Sequence, residues 1–207
     1  MEKIETLQQI ASRAASPEEV LGEAADLLPG QVVFTTSLGA EDQVITDMIA
    51  RHGIGIRVVT LDTGRLFAET YELIHRTESR CKIRIEVFFP DTGDVEQLVA
   101  AQWINGFYDS IDNRKRCCHV RKVLPLKRAL AGAALWVTGI RKEQSENRSD
   151  FPAVEWDEQH QLLKLHPLLE WSEQQVWDYI RKHAVPYNPL HDKGFPSIGC
   201  APCTRAL

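Results

Sequence analysis

The sequence predicts an α/β protein: a parallel sheet with helices on both faces. Three observations carry that expectation. Short β-branched runs alternate with amphipathic stretches, roughly 10–15 residues long, the pattern of right-handed βαβ units. Small-residue turns sit where each run gives way to a helix, as at Ser37-Leu38-Gly39-Ala40 and Asp62-Thr63-Gly64. The chain has 207 residues and neither an internal repeat nor a low-complexity tract, which suits one domain at roughly 150 residues per domain.

The elements follow in order. The first 30 residues read as a helical extension, with Ser16-Pro17-Glu18-Glu19 as a helix start and Pro29-Gly30 as its close. Gln31 to Thr36 is the first strand, and Asp42 to Arg51 carries apolar residues at helical spacing up to Gly53. Ile56 to Leu61 is the second strand, followed by a helix from Leu66 to Ser79. Ile83 to Phe89 is the third strand, with a helix from Val95 to Trp103. A basic helix over 114–131 leads into the fourth strand, Leu135 to Thr138. A polar loop from Arg141 to Asp150, a hairpin around Trp156 to Leu165 and a short helix at Val176 to Arg181 come next. Ser172 and Gln175 mark that last helix's start. From Val185 the chain is rich in Pro and Gly.

Composition narrows the function. Apolar residues make up 43% and charged residues 26%, the mix of an ordinary globular protein. With 24 Lys+Arg against 29 Asp+Glu, the net charge of −5 argues against a whole surface devoted to nucleic acid or membrane. The N-terminus shows no signal-peptide pattern, and the longest uncharged stretch, Leu27 to Ala40, contains Pro29 and Gly30 and is too short to span a bilayer. A cytoplasmic location is expected. Five cysteines, an odd count, fit poorly with a disulfide framework.

Three loops are expected at one edge of the sheet, where open parallel sheets bind ligands. Ser37-Leu38-Gly39-Ala40-Glu41-Asp42 is a turn feeding a helix N-terminus, suited to an anion, but it is neither a Walker loop nor a GxGxxG. In Leu61-Asp62-Thr63-Gly64, Asp62 either accepts from a ribose hydroxyl or caps the next helix. Between Gly139 and Arg148, the guanidinium groups of Arg141 and Arg148 suit phosphate or sulfate oxygens.

The cysteines are the strongest signal. Adjacent Cys117-Cys118 and the Cys200-Ala201-Pro202-Cys203 pair form a four-thiol metal-site pattern, leaving Cys81 as a packing residue. Neighbouring side chains diverge, which suits the separate corners of a cubane iron–sulfur cluster better than a single zinc. Zinc remains the alternative. Arg114, Lys115, Arg116, His119, Arg121 and Lys122 surround the pair and would stabilise an anionic cluster.

Together these motifs, with Arg116-Cys117-Cys118, Gln144-Ser145, Trp171-Ser172-Glu173, Val176-Trp177 and Gly199 to Thr204, resemble the assimilatory sulfonucleotide reductases from about Val33 onward. The match is to the thioredoxin-dependent type acting on adenosine 5′-phosphosulfate (APS). The resemblance implies a fold related to PP-loop ATP pyrophosphatases and a 4Fe–4S cluster on Cys117, Cys118, Cys200 and Cys203. It also implies release of AMP and sulfite through an S-sulfocysteine that thioredoxin reduces. By position, Lys122 matches the lysine between cluster and sulfate, and Arg141, Gln144 and Arg148 match the anion-binding loop. Leu61 and Gly139 match contacts around the adenosine. Residues 37–42 match a modified phosphate loop, with Ala40 and Gln43 where the ATP-hydrolysing form has its second Gly and last Ser.

The resemblance places the nucleophile in a Glu-Cys-Gly-(Ile/Leu)-His tail that has no match up to Leu207, so the expectation is that these 207 residues alone are inactive. On this reading residues 1–207 are one sulfonucleotide-binding domain, with 185–207 as a cluster-binding segment; homo-oligomerisation is left open. The alternatives are reduction of the 3′-phosphorylated substrate (PAPS), a PP-loop ATPase or tRNA thiolase carrying a cluster, and a zinc-binding module.

Overall fold

The structure, a computed structural model, describes residues 2–144 and 151–207. Its centre is a six-stranded sheet: β1 (Val32–Thr36), β2 (Arg57–Leu61), β3 (Glu86–Phe88), β4 (Leu135–Val137), β5 (Val154–Asp157) and β6 (Leu162–Leu165). The strand order is β3-β2-β1-β4-β6-β5. Every pairing is parallel except the hairpin pair β5–β6, in which Glu155 lies opposite Lys164. The chain lays down β2 and β3 on one side of β1, then returns to place β4 on the other. That reversal opens a crevice beyond the carboxyl ends of β1 and β4, the switch point at which open α/β sheets bind ligands.

Helices cover both faces, as expected. Along β1, Val32 and Phe34 join the larger core and Val33 joins the smaller one, because successive strand side chains point to opposite faces. The larger core takes apolar residues from α1 (Glu2–Arg13), α2 (Pro17–Leu27), α3 (Ala40–Arg51), α4 (Ala68–Cys81) and α8 (Glu173–His183). The smaller core packs Val33, Val59 and Leu162 against Ala129 and Leu130 at the end of α7 (Leu124–Ala129). Among the described residues, no helix is long and apolar enough to cross a membrane.

Caps set several boundaries. Ser16 accepts from Glu19 N at the start of α2, and Ser172 and Gln175 close a reciprocal capping box on α8. α5 (Thr92–Gln102) starts three residues before the periodicity predicts, because Asp91 accepts from Gly93 N and Asp94 N. The third strand is shorter than expected: Lys82 adopts a left-handed conformation after α4, and pairing begins only at Glu86.

The basic stretch over 114–131 is not one helix. It divides into α6 (Ile111–Cys118), a π-helical turn (His119–Val123) and α7. Pro125 has no N–H to continue the ladder, and the amide of Leu124 reaches five residues back to His119 O. This widened turn carries Arg121 and Lys122 directly beyond the cysteine pair.

Candidate active site

The three predicted loops converge. A cavity of about 400 Å³ opens at the switch point, within the usual range for small-molecule sites, about 300–1,000 Å³. Ser37, Leu38, Glu41 and Asp42 line it from the end of β1, Leu61 and Thr63 from the end of β2, and Gly139 and Gln144 from beyond β4. Lys122 and Cys200 complete its wall. A second, larger lobe of about 910 Å³ adjoins it, sharing Ser37, Glu41, Gln144 and Ile198 and adding Gly39, Ala40 and Arg141.

The turn after β1 is built around Asp42. Its Oδ2 accepts from Ser37 N at 2.6 Å and from Ser37 Oγ at 2.7 Å. Burial pushes the carboxyl up to about 6, although both Ser37 bonds pull it down. Leu38 sits at φ +64, a conformation that costs a side-chain-bearing residue roughly 1–2 kcal/mol. The Thr36 hydroxyl helps hold it there by accepting from Leu38 N at 2.9 Å. On the other side of the crevice, a Cβ at Gly139 would overlap Asp42 Oδ1, so only glycine lets these two turns approach.

Asp62 neither caps α4 nor lines the cavity. Its Oδ1 accepts from Gly64 N at 2.7 Å and from the Tyr71 hydroxyl at 2.9 Å, while Phe67 is the helix's N-cap residue. The cap expectation fails because α4 begins at Ala68, too far along for Asp62 to reach its first amides. Asp62 instead forms the Asx turn that sends Gly64 to φ +70. Gly64 also lies outside both lobes; a Cβ there would come within 3.2 Å of Arg121 Nη1.

Arg141 is buried and already engaged. Its guanidinium donates to Glu41 Oε1 at 2.8 Å, to Glu143 Oε2 at 3.1 Å and to Trp171 O at 3.3 Å. In this arrangement it fixes Glu41 and the loop after β4. Gln144 joins the same centre by donating to Glu41 Oε1 at 3.1 Å. Arg148 and Ser145 lie outside the described residues.

The four cysteines predicted as a set come together. Cys117, Cys118, Cys200 and Cys203 all line one pocket of about 90 Å³, with Arg65, Arg114, Arg121 and Lys122 around it. No cysteine is in a disulfide. Among the described residues, no three His, Cys, Asp or Glu side chains form a group that could hold one metal ion. The C-terminal segment is stitched in place by Ala201 N donating to Arg65 O at 2.8 Å and the Tyr108 hydroxyl donating to Pro202 O at 2.8 Å. The Thr63 hydroxyl and the Cys200 thiol are 3.2 Å apart.

Arg121 is buried with no carboxylate partner among the described residues. It donates through Nη1 to Thr63 O at 2.7 Å, while its Nε is buried without a hydrogen-bond partner. Burial pushes the Cys117 thiol up, with Arg121 pulling in the opposite sense. Lys122 is exposed and has no ion-pair partner among the described residues. It lines both the nucleotide-sized cavity and the thiol pocket. Cys81 ends α4 outside both, and burial raises its thiol.

Sequence reasoning missed several cavity residues: Leu66, Leu126, Trp136, Thr138 and Ile198 line it and Arg65 lines the thiol pocket. The apolar ones carry no signal separating a cavity wall from a core. Arg65 had one, as a cation directly after the Asp62-Thr63-Gly64 turn.

The switch-point crevice, the turn after β1 and the adjoining pocket of four cysteines define an α/β protein with a ligand-sized cavity at the carboxyl ends of its parallel strands. The phosphoadenosine phosphosulfate reductase domain model matches residues 31–206, and the chain belongs to that family. The adenosine 5′-phosphosulfate reductase of Allochromatium vinosum is 52% identical over 198 residues, covering 96% of this chain and 77% of that protein. The Agrobacterium fabrum protein of the same name is 51% identical over 87% of this chain and 69% of its own length. Among solved structures, a phosphoadenylyl-sulfate reductase from Candida auris in a phosphate complex superposes with TM-score 0.84 at 29% identity, covering 99% and 97% of the two chains. An FMN adenylyltransferase of Candida glabrata at 15% identity and TM-score 0.60, covering 97% and 73%, shares the fold. The PP-loop type of fold is thereby established.

Proposed function

We propose that the cleft binds APS and serves its reduction to sulfite and AMP. The carrying observation is that Lys122 and Cys200 belong to both walls, so the nucleotide-sized cavity lies directly beside four thiols and four cations. The relatives named APS reductase, at about half identity over most of this chain, support that substrate over PAPS.

The four thiols suit a 4Fe–4S cluster. The donor set is all sulfur, and buried Arg121 has no counter-charge among the described residues, which an anionic cluster would supply. Cys117, Cys118, Cys200 and Cys203 would hold it, and its negative charge would set the field beside the bound sulfo group. Lys122, between the two spaces, would pair with the sulfo oxygens. Ser37, Glu41, Gln144 and Arg141 shape the anion end of the cleft, and Leu61, Leu66, Leu126 and Ile198 enclose its apolar part.

The chemistry is thiol attack on sulfur. A thiolate bonds to the sulfo sulfur as the S–O bond to the phosphate breaks and AMP leaves. A dithiol reductant of the thioredoxin class then displaces sulfite and is oxidised to its disulfide. The four thiols of the pocket are committed to the cluster on this reading, and Cys81 is remote from the cleft. On this reading none of these five cysteines is assigned the attack, and residues 1–207 supply binding and charge.

Two measurements on anaerobically purified protein test the reading. Competition titration should favour APS over PAPS; preference for PAPS would reverse the substrate assignment. Iron and sulfide analysis with a visible spectrum should show a brown protein absorbing at about 400 nm. A colourless, zinc-loaded protein would overturn the cluster.

A further inference from the structure

Three strands meet in a polar chain, buried at Thr138 and His166 and half-buried at Glu155, that the nucleotide reading leaves unused. Thr138 follows β4 and lines the cavity one residue before Gly139. His166 follows β6 with its side chain wholly enclosed, and Glu155 lies on the edge strand β5. The Thr138 hydroxyl is 2.7 Å from His166 Nδ1, and His166 Nε2 is 3.4 Å from Glu155 Oε1. Backbone bonds fix the three: Thr138 N donates to Leu165 O at 3.0 Å and His166 N to Ala153 O at 2.8 Å. Lys164, paired closely with Asp157, lies 3.8 Å from the same Glu155 Oε1.

The proton inventory gives this chain a direction. A carboxylate only accepts, so a ring that carries a single hydrogen places it on Nε2, facing Glu155. Nδ1 then offers a lone pair, and the Thr138 hydroxyl donates its only hydrogen inward. The oxygen of Thr138 is left as an acceptor. One lone pair faces the amide of Ile140 at 3.4 Å, and the other is available to whatever occupies the cavity.

We infer that Thr138 is a specificity-determining contact that accepts a hydrogen bond from the bound nucleotide, with His166 and Glu155 as the positioning residues that fix its polarity. The partner is a neutral donor of an adenine nucleotide, either the exocyclic amine or a ribose hydroxyl. This inference rests on the cleft being the nucleotide site.

The test is calorimetric titration of the full chain with four ligands: AMP, IMP, 2′-deoxy-AMP and 3′-deoxy-AMP. Each is measured against wild type, Thr138→Val, Thr138→Ser and Glu155→Gln. Wild type should bind AMP at least about tenfold more tightly than the one analogue that lacks the relevant donor. Thr138→Val should abolish that ratio while leaving the ratios to the other two analogues unchanged, and Thr138→Ser should restore it. Glu155→Gln, which lets the ring present either nitrogen hydrogen, should shrink the same ratio. Uniform weakening of all four ligands by Thr138→Val would overturn the inference and leave a strand tie. Unchanged ratios in every variant would overturn it as well. Failure of wild type to bind any of the four would overturn the nucleotide reading itself, and this contact with it.

Discussion

Asp42 Oδ1 occupies the space where a side chain at position 139 would begin. The two residues come from turns after different strands, β1 and β4, so their contact fixes the width of the switch-point crevice. Gly139→Ala forces either the Asp42 carboxyl or the loop after β4 to move. The expected result is a loss of about 1–3 kcal/mol in unfolding free energy and of nucleotide affinity together. Adding Asp42→Ala should recover part of the stability, because the overlapping atom is gone. A double-mutant cycle by denaturant melts reads the coupling, and purely additive losses would contradict this contact.

Asp42 also predicts a pH dependence with a definite sign. Burial raises its carboxyl from 3.8 to about 6 in the folded protein. Between those values the folded state binds more protons than the unfolded state, so stability falls as pH rises through that window. The contribution is complete below about pH 4 and lost above about pH 6, up to about 3 kcal/mol in all. Asp42→Asn removes the titration. Unfolding free energies from pH 4 to pH 7 should therefore slope downward more steeply in wild type than in the variant.

Both turns were legible in the sequence because their signals are local: small residues after a β-branched run, and a glycine at the end of a strand. The helix start at Ser172 and each of the two cysteine pairs were legible for the same reason, while the meeting of those distant pairs around one pocket is a property of the fold. What was not legible depends on residues distant in sequence. Asp62 reads as a helix cap until Tyr71 and the true start of α4 are in place. The break at His119–Val123 needs the missing amide of Pro125 and the packing that keeps a helix going past it. Arg141 reads as a free anion receptor, yet Glu41, 100 residues away, accepts from it in the fold. Thr138 and His166 join only through the pairing of β4 with β6.

Lys122 faces both the cleft and the thiol pocket without an ion-pair partner among the described residues, so its charge is available to a ligand. Lys122→Ala should leave the melting temperature nearly unchanged, since an exposed, unpaired side chain contributes within about 0.5 kcal/mol. It should weaken APS binding by about tenfold or more while weakening AMP much less, because AMP lacks the sulfo group. The gap between the two ligands should narrow as salt screens the exposed charge. Titrations of both nucleotides at low and high ionic strength check this. Equal losses for APS and AMP would place Lys122 at the phosphate instead.

Arg121 predicts a stability effect whose sign depends on what fills the thiol pocket. Its guanidinium is buried, held by Thr63 O, and leaves Nε without a partner. A buried charge without a counter-ion is costly, and replacing it by an apolar residue of similar length is often neutral or stabilising. An anionic cluster on the four cysteines reverses that balance by pairing the charge at short range in a region of low dielectric. Arg121→Met should thus leave iron-depleted protein as stable as wild type or more so, and destabilise the iron-loaded protein. Melting curves of both proteins, before and after anaerobic chelation of iron, give four values. A penalty that is the same with and without iron would show that Arg121 supports the Asp62-Thr63-Gly64 turn alone. A penalty confined to the loaded form identifies it as the counter-charge of the cysteine pocket.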